Sequence, residues 1–580
     1  MVDRKTTRAN LVFPPVPIRA GWYIIFLLAL GLFSAFSLCR IQQPVTQDEL
    51  NWLIAAKTFY ADGAPLHLIS NKVVTYSPYL YLHSVVAAFN LFGESEIIAR
   101  LPGVFSGLLA IIMVFLIVKS LSKGNQAEGL QWAAISSLLY AITPAVVQGA
   151  VIIDIDNTVL VPTILFLYWT FVKYQEKENY AWAMLIGLAL SIALWCRITT
   201  PPIIVILLSF YILVSKKAIK TKLVFFCAIF AGVFLFVASW YLYCYSTDIP
   251  FWGVFIYTLS SFQGKGHLAL SQLLQNLVCL ILWLGIFPSL LFIIFTIQKC
   301  ISCLRKPEVC LKDIFLWSGV VLVIGYTLVG GAIFGYPKYH IPAIPLFYIY
   351  IGITLSKSGA DFANIRLKVS YIVAVIVLAF IVQYMVAGDV LYIFRYTLRN
   401  TIAFALPLYP ILKSTVLKMS LYSIIFAVIF VICLKTSLKK AWVLLLVLFS
   451  IGTSMGTSLI QSAANYHTGY NYGGEGTIEA AQFIRENVPA QGVVFAPSEI
   501  IYYLRLPNSP HLSNPLWTDI NELRKRLADK NTSALAYSIA TNTTRQVQTI
   551  SFTKEIQELL HQDFDQTKIK NYTIWIRKGY

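Results

Sequence analysis

The sequence predicts an α-helical membrane protein that crosses the bilayer many times. Of its 580 residues, 58% are hydrophobic and only 12% are charged, whereas a soluble domain carries about 25% charged residues. The apolar residues gather in stretches of about 17 residues or more, each long enough to cross a bilayer as a helix. Basic residues gather in every second connection between these stretches, as in cytoplasmic loops. Together these observations favour a polytopic helical bundle.

The apolar stretches predict about thirteen transmembrane helices within residues 1–460. Their approximate ranges are 20–39, 100–118, 130–149, 158–173, 180–196, 200–215, 223–244, 272–298, 314–334, 341–356, 369–387, 418–434 and 441–460. The first stretch follows several basic residues, as a signal peptide does. Its length of about 18 residues and the lack of a small-residue cleavage site favour a retained helix.

The basic connections set the predicted orientation. They lie near residues 119–123, 173–177, 216–222, 299–312, 357–368 and 435–440. The positive-inside rule places them, and the N-terminus, in the cytoplasm. The outer face then carries the long first loop, residues 40–99, and the C-terminal residues 461–580. We therefore expect a multi-pass protein of the bacterial inner membrane with an extracytoplasmic C-terminal domain.

The outer segments are predicted to be structured. In the first loop, Asp48–Tyr60 and Pro78–Phe92 have the pattern of helices that lie in the membrane interface. The C-terminal residues alternate helix and strand patterns, which predicts a small α/β domain. The predicted elements are helices at Thr477–Asn487 and Thr518–Lys530 and strands at Gly492–Ala496, Ala534–Ile539 and Tyr572–Arg577. The glycine run at 473–476 is interpreted as a flexible helix entry rather than a phosphate loop.

Composition also argues against other classes. The net charge of +18 resides mostly in the cytoplasmic loops, so nucleic acid is not an expected partner, whereas the lipid bilayer is. Cys300, Cys303 and Cys310 share one loop but lack a fourth ligand at zinc-like spacing, and we interpret them as reduced thiols.

The acidic pair Asp48-Glu49 is the first candidate for chemistry. It follows the first apolar stretch, at the membrane surface, where ionised groups are costly and tend to be functional. A carboxylate there could act as the general base that deprotonates an acceptor hydroxyl. Asp48 could also cap the helix that follows. Glu49 could orient an acceptor, ligate a metal or lie on a solvated face.

Four further segments are predicted to lie on the outer face with this pair. They are Thr75-Tyr76-Ser77-Pro78-Tyr79-Leu80, Leu91-Phe92-Gly93-Glu94-Ser95-Glu96, Ala99-Arg100-Leu101-Pro102 and Tyr336-Pro337-Lys338-Tyr339-His340-Ile341-Pro342. With Asp48-Glu49, this ordered set resembles lipid-linked-sugar glycosyltransferases of the GT-C fold, in particular aminoarabinose transferases and protein O-mannosyltransferases. The resemblance implies a GT-C fold, a polyprenyl-monophosphate sugar donor and Asp48 as the catalytic base.

The resemblance also implies an acid in the loop after the third helix. Asp156 fits that position better than Asp154, and either could bind the acceptor or a divalent ion. Both could instead have a structural role, Asp156 as a helix cap. No cofactor is identified. A divalent metal ion is one possibility, although His67, His83, His267 and His340 show no dense ligand spacing.

Cations are needed to hold the departing phosphate. Arg197, at the end of the fifth predicted helix, is the main candidate, because a guanidinium binds phosphate oxygens in bidentate fashion. Lys338, with Tyr339 and His340, forms a second group. Each of these could alternatively anchor the protein at the interface. Further candidates for the donor phosphate are Lys72, Lys265 and Tyr76.

The expected activity is transfer of one hexosyl or pentosyl group to an extracytoplasmic lipid, glycan or protein. The segment Tyr76-Ser77-Pro78 departs from the Lys-Pro-Pro of aminoarabinose transferases, so lipid A is not predicted as the acceptor. Two other classes stay open: a transporter or flippase of lipid-linked glycans, and a polysaccharide polymerase or ligase. A transporter would favour internal repeats and charges at the midplane, neither of which the sequence shows.

Overall fold

The structure is a computed structural model that describes residues 18–45, 47–66, 72–122, 126–155, 158–265, 295–296, 298–301, 310–328, 338–357, 373–379, 381, 439–463, 476–489, 491–504, 520–538, 554–570 and 572–579. Within these ranges the N-terminal part is helical. Its helices are α1 (Ile18–Leu38), α2 (Gln47–Asp62), α3 (Leu80–Phe92), α4 (Glu96–Leu121), α5 (Gln126–Ala141), α6 (Pro144–Ala150), α7 (Leu160–Lys177), α8 (Tyr180–Cys196), α9 (Thr200–Val214), α10 (Ile219–Thr247), α11 (Gly253–Lys265), α12 (Leu311–Leu328), a 3-10 helix (Lys338–Ala343), α13 (Ile344–Lys357) and α14 (Lys439–Ala463).

The longer helices have the dimensions of membrane spans. Helix α1 has 21 residues, which gives about 31 Å at 1.5 Å per residue, the thickness of a bilayer core. Among the described residues, five helices are by themselves long and apolar enough to cross a membrane, and a bent pair, α5 and α6, makes up to six. The predicted polytopic fold is confirmed. The total of about thirteen spans stays a prediction, since the span at 418–434 lies outside the described residues.

One predicted span is two helices. The apolar stretch 130–149 is broken between α5 and α6, which meet at an angle of 63°. Pro144 begins α6, where its missing N–H is tolerated. Thr143 binds the carbonyl oxygen of Leu139 and the hydroxyl of Tyr348 at 3.0 Å, which satisfies polar groups at the break. The bend carries the chain to residues 151–155.

The core of the bundle is formed by α4, α5, α7 and α8. Helix α4 packs on both α5 and α7, and α7 packs on α8, while α1 and α13 lie against α5 and α10 lies against α8. Glycine allows two of these helices to approach closely. A Cβ atom at Gly232 of α10 would overlap the carbonyl oxygen of Gly187 in α8. The described part of the loop between α1 and α4 contains α2 and α3, close to the predicted helical ranges, and packs on this core.

The C-terminal domain contains a four-stranded sheet, of order β1-β2-β4-β3, with α15 (Thr477–Asn487), α16 (Ser498–Leu504), α17 (Ile520–Ala528) and α18 (Lys554–Asp563). The strands are β1 (Val493–Phe495), β2 (Thr532–Ser538), β3 (Phe564–Ile569) and β4 (Tyr572–Arg577); β1 pairs with β2 in parallel, and the other pairs are antiparallel. Alternate residues of β2 enter separate apolar cores on the two faces of the sheet. The predicted α/β character is confirmed, while α16, α18 and β3 were not predicted.

Candidate functional site

A buried ion pair holds the beginning of α2. Arg100 donates from Nη2 and Nε to Glu49 Oε1, at 3.0 and 3.3 Å, and neither side chain is exposed to solvent. The same carboxylate oxygen accepts the backbone N–H of Ile153 at 3.1 Å. Glu49 is therefore not on a solvated face, which was one of its predicted positions. It ties α2 to α4 and to the turn after α6.

Asp48 is the second residue of α2 and directly precedes Glu49. The structure describes Asp48 as backbone only. Its neighbour Glu49 contacts the N–H of Ile153, which directly precedes Asp154. The predicted base is thus next in sequence to a residue that contacts the turn of one of the two predicted acceptor acids. The other, Asp156, lies outside the described residues.

Asp154 and Lys338 form a second buried ion pair. Lys338 Nζ lies 2.8 Å from Asp154 Oδ2, and the side chains are only 11% and 1% exposed. Asp154 lies in the turn after α6, where Thr158 donates to its carbonyl oxygen at 2.7 Å. Lys338 begins the 3-10 helix before α13. Two residues that the sequence assigns to different tasks, acceptor binding and phosphate binding, therefore contact each other.

Arg197 is held by aromatic rings. It follows the last residue of α8, and its guanidinium carbon lies 5.0 Å from the ring centre of Tyr339 and 5.8 Å from that of Tyr326. The two rings are stacked on each other at 5.5 Å. Arg197 Nε donates to Thr199 Oγ1 at 2.8 Å. The ring contacts and this hydrogen bond hold the guanidinium in place, as a phosphate-binding fork requires.

These contacts form one continuous series, which we call the acid–cation chain. It runs from Asp48-Glu49 through Ile153-Asp154 to Lys338-Tyr339 and then to Arg197. A carboxylate at one end and cations at the other are the groups needed to deprotonate a hydroxyl and to stabilise a leaving phosphate.

The other predicted phosphate ligands have different surroundings. Tyr76 packs on Tyr257, at 4.9 Å between ring centres, and edge-on against Trp52 at 5.8 Å. Lys72 is exposed. Lys265 is the last residue of α11 and is described as backbone only.

His340 is buried and faces the bundle rather than an open surface. Its Nε2 lies 3.1 Å from Thr327 Oγ1 in α12. Among the residues that the structure describes, no three His, Cys, Asp or Glu side chains could hold a metal ion together. His67, His267 and Cys303 lie outside those residues.

Two buried residues of this region were not predicted from the sequence as site residues. Arg100 lies in the segment Ala99-Arg100-Leu101-Pro102, and its charge inside an apolar stretch is itself a signal of a special role. Tyr81 is fully buried and packs edge-on against Trp52 at 5.6 Å. With 33 tyrosines in the chain, no sequence signal distinguishes it.

Comparison with known proteins confirms the resemblance to GT-C glycosyltransferases that act on lipid-linked sugars. Residues 77–241, which include Asp154 and Arg197, match the family described as dolichyl-phosphate-mannose-protein mannosyltransferase. A search of curated protein sequences gives no match.

Solved structures agree on the fold. The crystal structure of ArnT from Cupriavidus metallidurans bound to undecaprenyl phosphate is similar with a TM-score of 0.56 and 13% identity, covering 96% of this chain and 98% of that one. Its apo form gives 0.55 and 14%, with the same coverage. The apo oligosaccharyltransferase of Archaeoglobus fulgidus gives 0.51 and 12%, covering 96% of this chain and 74% of that one. This multi-pass membrane protein therefore has the GT-C fold.

Proposed function

We propose that this protein is an integral membrane glycosyltransferase. It takes one sugar from a polyprenyl-monophosphate donor and passes it to an acceptor on the extracytoplasmic side of a bacterial inner membrane. The observation that carries the proposal is the acid–cation chain, which connects the beginning of α2 to Lys338 and Arg197. The family match and the undecaprenyl phosphate bound by the similar ArnT support this choice of donor.

In the proposed reaction Asp48 removes the proton of the acceptor hydroxyl. The acceptor oxygen attacks the anomeric carbon as the bond from that carbon to the phosphate oxygen breaks, and polyprenyl monophosphate leaves with the bonding electron pair. Arg197 and Lys338 stabilise the negative charge that grows on the phosphate. Because a phosphate is a good leaving group, one displacement suffices.

The two neighbouring carboxylates have supporting roles in this proposal. Glu49 holds the first turn of α2 through Arg100, and Asp154 holds Lys338 in place. Asp156 is left for the acceptor. A bound divalent ion stays a sequence-based prediction, which is tested by assaying the protein after EDTA treatment and again after adding Mg²⁺ or Mn²⁺.

The test is the substitution Asp48→Asn in the purified protein. We expect the release of polyprenyl phosphate from a polyprenyl-phosphate sugar to fall by at least about a hundredfold, since a general base contributes that much or more. Donor binding and the thermal unfolding midpoint should stay at the wild-type values. The matched control is Asp248→Asn. Asp248 is exposed, and its backbone is in the left-handed conformation, which asparagine also adopts.

Wild-type activity in a folded Asp48→Asn protein would contradict the base assignment. Movement of the intact lipid-linked sugar across vesicles without bond cleavage would instead support a transporter. The acceptor and the sugar are identified by mass analysis of glycolipids and glycoproteins in a deletion strain.

A further inference from the structure

The C-terminal domain contacts the segment 41–45, which leads into Asp48, through one phenol. The hydroxyl of Tyr503, in α16, accepts the backbone N–H of Val45 at 3.0 Å and donates to Glu96 Oε2 at 2.9 Å. Val45 lies three residues before Asp48, and Glu96 is the first residue of α4. A residue of the last domain thereby bridges two points of the first outer loop.

The next turn of α4 holds the segment 41–45, which precedes Asp48, at other points. Arg100, one turn after Glu96, donates from Nη1 to the carbonyl oxygens of Ile41 and Gln43, at 2.8 and 2.6 Å, and pairs with Glu49. Carbonyl groups of the segment 41–45 are thus bound by Arg100, and its last N–H is bound by Tyr503. The segment that leads into Asp48 is held from both directions.

A second contact joins α16 to the later part of α2. Lys57 lies 5.6 Å from the ring centre of Tyr502 and forms an ion pair with Glu94 at 2.9 Å. The rings of Tyr502 and Tyr503 pack on each other at 5.1 Å. Helix α16 therefore touches the helix that carries Asp48 and the segment that precedes it.

The chemistry of Tyr503 suits a fixed bridge. Its side chain is largely withdrawn from water, and this burial raises the pKa of the phenol above its ordinary value. The hydroxyl consequently stays protonated and can donate to Glu96 while it accepts from Val45. A phenylalanine would keep the ring and lose both hydrogen bonds.

We propose that Tyr503 is a positioning residue, through which the C-terminal domain sets the placement of Asp48 for sugar transfer. This inference rests on the proposed function. A displacement of about 1 Å of a reacting group can cost a hundredfold in rate without loss of substrate binding. The consequence is that the domain contributes to turnover rather than to donor affinity.

The experiment compares Tyr503→Phe with Tyr537→Phe, a control in the opposite core of the same domain. We expect Tyr503→Phe to lower kcat by about tenfold or more with KM for the donor unchanged. Hydrogen–deuterium exchange of the peptide containing Val45 should become faster. Glu96→Gln keeps an oxygen that can accept from Tyr503 and should retain activity, whereas Glu96→Leu should resemble Tyr503→Phe.

A wild-type kcat in Tyr503→Phe, or a raised KM with kcat unchanged, would overturn the inference. Unchanged exchange at Val45 would overturn it whatever reaction the protein catalyses. If the wild-type protein transfers no sugar while exchange still becomes faster in Tyr503→Phe, the proposed function fails and the bridge between domain and segment is supported. If Tyr503→Phe unfolds, the comparison of Glu96→Gln with Glu96→Leu decides.

Discussion

At the residue scale, the ion pair of Glu49 and Arg100 shows why a buried charge is placed in an apolar bundle. Removing two charges from water costs several kcal/mol for each, which their attraction repays only with good geometry and further hydrogen bonds. Here Arg100 also binds two backbone carbonyl oxygens, and Glu49 binds the N–H of Ile153. The pair therefore satisfies the irregular backbone beside Asp48.

Glu49→Gln should destabilise the protein strongly. It leaves the buried guanidinium of Arg100 without a counter-charge, which costs about 3–5 kcal/mol. The control is Glu94→Gln, which breaks the ion pair of Glu94 with Lys57. This pair is partly exposed, 38% for the side chain of Glu94 and 26% for that of Lys57, so its loss should cost about 1 kcal/mol or less. The measurement is the midpoint of thermal unfolding in detergent. Equal shifts for both variants would contradict the structural role of Glu49.

Arg197→Lys tests the stacked fork. Lysine keeps the positive charge but loses the planar guanidinium that lies over the ring of Tyr339 and donates to Thr199. We expect kcat/KM for the donor to fall by about tenfold, the loss of one charge-assisted hydrogen bond. Tyr339→Phe, which retains the ring face, should change it little. A lysine variant with wild-type kcat/KM would show that charge alone suffices.

At the scale of elements, the sequence predicted helices well where apolar length decides them. The helix Tyr180–Cys196 has the predicted bounds, because an apolar run between polar residues has one stable arrangement in a bilayer. The break at Pro144 was missed, since the run of apolar residues continues through it. Strand Phe564–Ile569 was missed because it follows α18 directly and has no apolar run to mark it. Three of its six residues, Asp565, Gln566 and Lys568, are exposed.

A glycine sets the distance between α4 and the turn that carries Asp154. A Cβ atom at Gly103 would overlap the carbonyl oxygen of Ala150 and lie 2.8 Å from Thr158 Cγ2. Thr158 binds the carbonyl oxygen of Asp154, so displacement of these groups moves the ion pair with Lys338. Gly103→Ala should therefore lower both kcat and the unfolding midpoint.

The matched control is Gly31→Ala in α1, where a Cβ atom meets nothing within 4 Å. That change should be neutral or should stabilise the helix by up to about 1 kcal/mol, as alanine does relative to glycine. Activity assays and unfolding midpoints of the two variants are compared directly. If Gly103→Ala behaves like Gly31→Ala, the turn is not held as closely as the structure indicates.

At the scale of the whole molecule, the site depends on contacts between distant parts of the chain. The pairs Glu49–Arg100, Asp154–Lys338 and Val45–Tyr503 are separated by 51, 184 and 458 residues. Topology predicted from apolar length and basic loops put the acids and cations on one face. It could not predict which acid pairs with which cation, because those pairings follow from helix packing. The bridge from Tyr503 had no sequence signal at all.

The C-terminal domain should lose stability as pH rises. Glu499, in the same short helix as Tyr503, is completely buried, and burial raises its pKa to about 8 from the ordinary value of 4.5. Between these two values the folded form holds a proton that the unfolded form has released. The free energy of unfolding therefore falls with rising pH, by about 1.4 kcal/mol per pH unit from this group. Above about pH 8 its contribution is constant.

Glu499→Gln removes the titratable carboxyl group and replaces it with an amide of similar size. Thermal unfolding midpoints in detergent, measured from pH 5 to pH 8, should therefore fall less steeply for the variant than for the wild type. The stability of the variant relative to the wild type should thus increase towards pH 8. The control Glu558→Gln changes a carboxylate that is 67% exposed and should run parallel to the wild type. A Glu499→Gln curve that also runs parallel would contradict a protonated Glu499. Because α16 carries Tyr503, which contacts Val45, hydrogen exchange measured at Val45 over the same pH range reports whether ionisation of Glu499 loosens this contact.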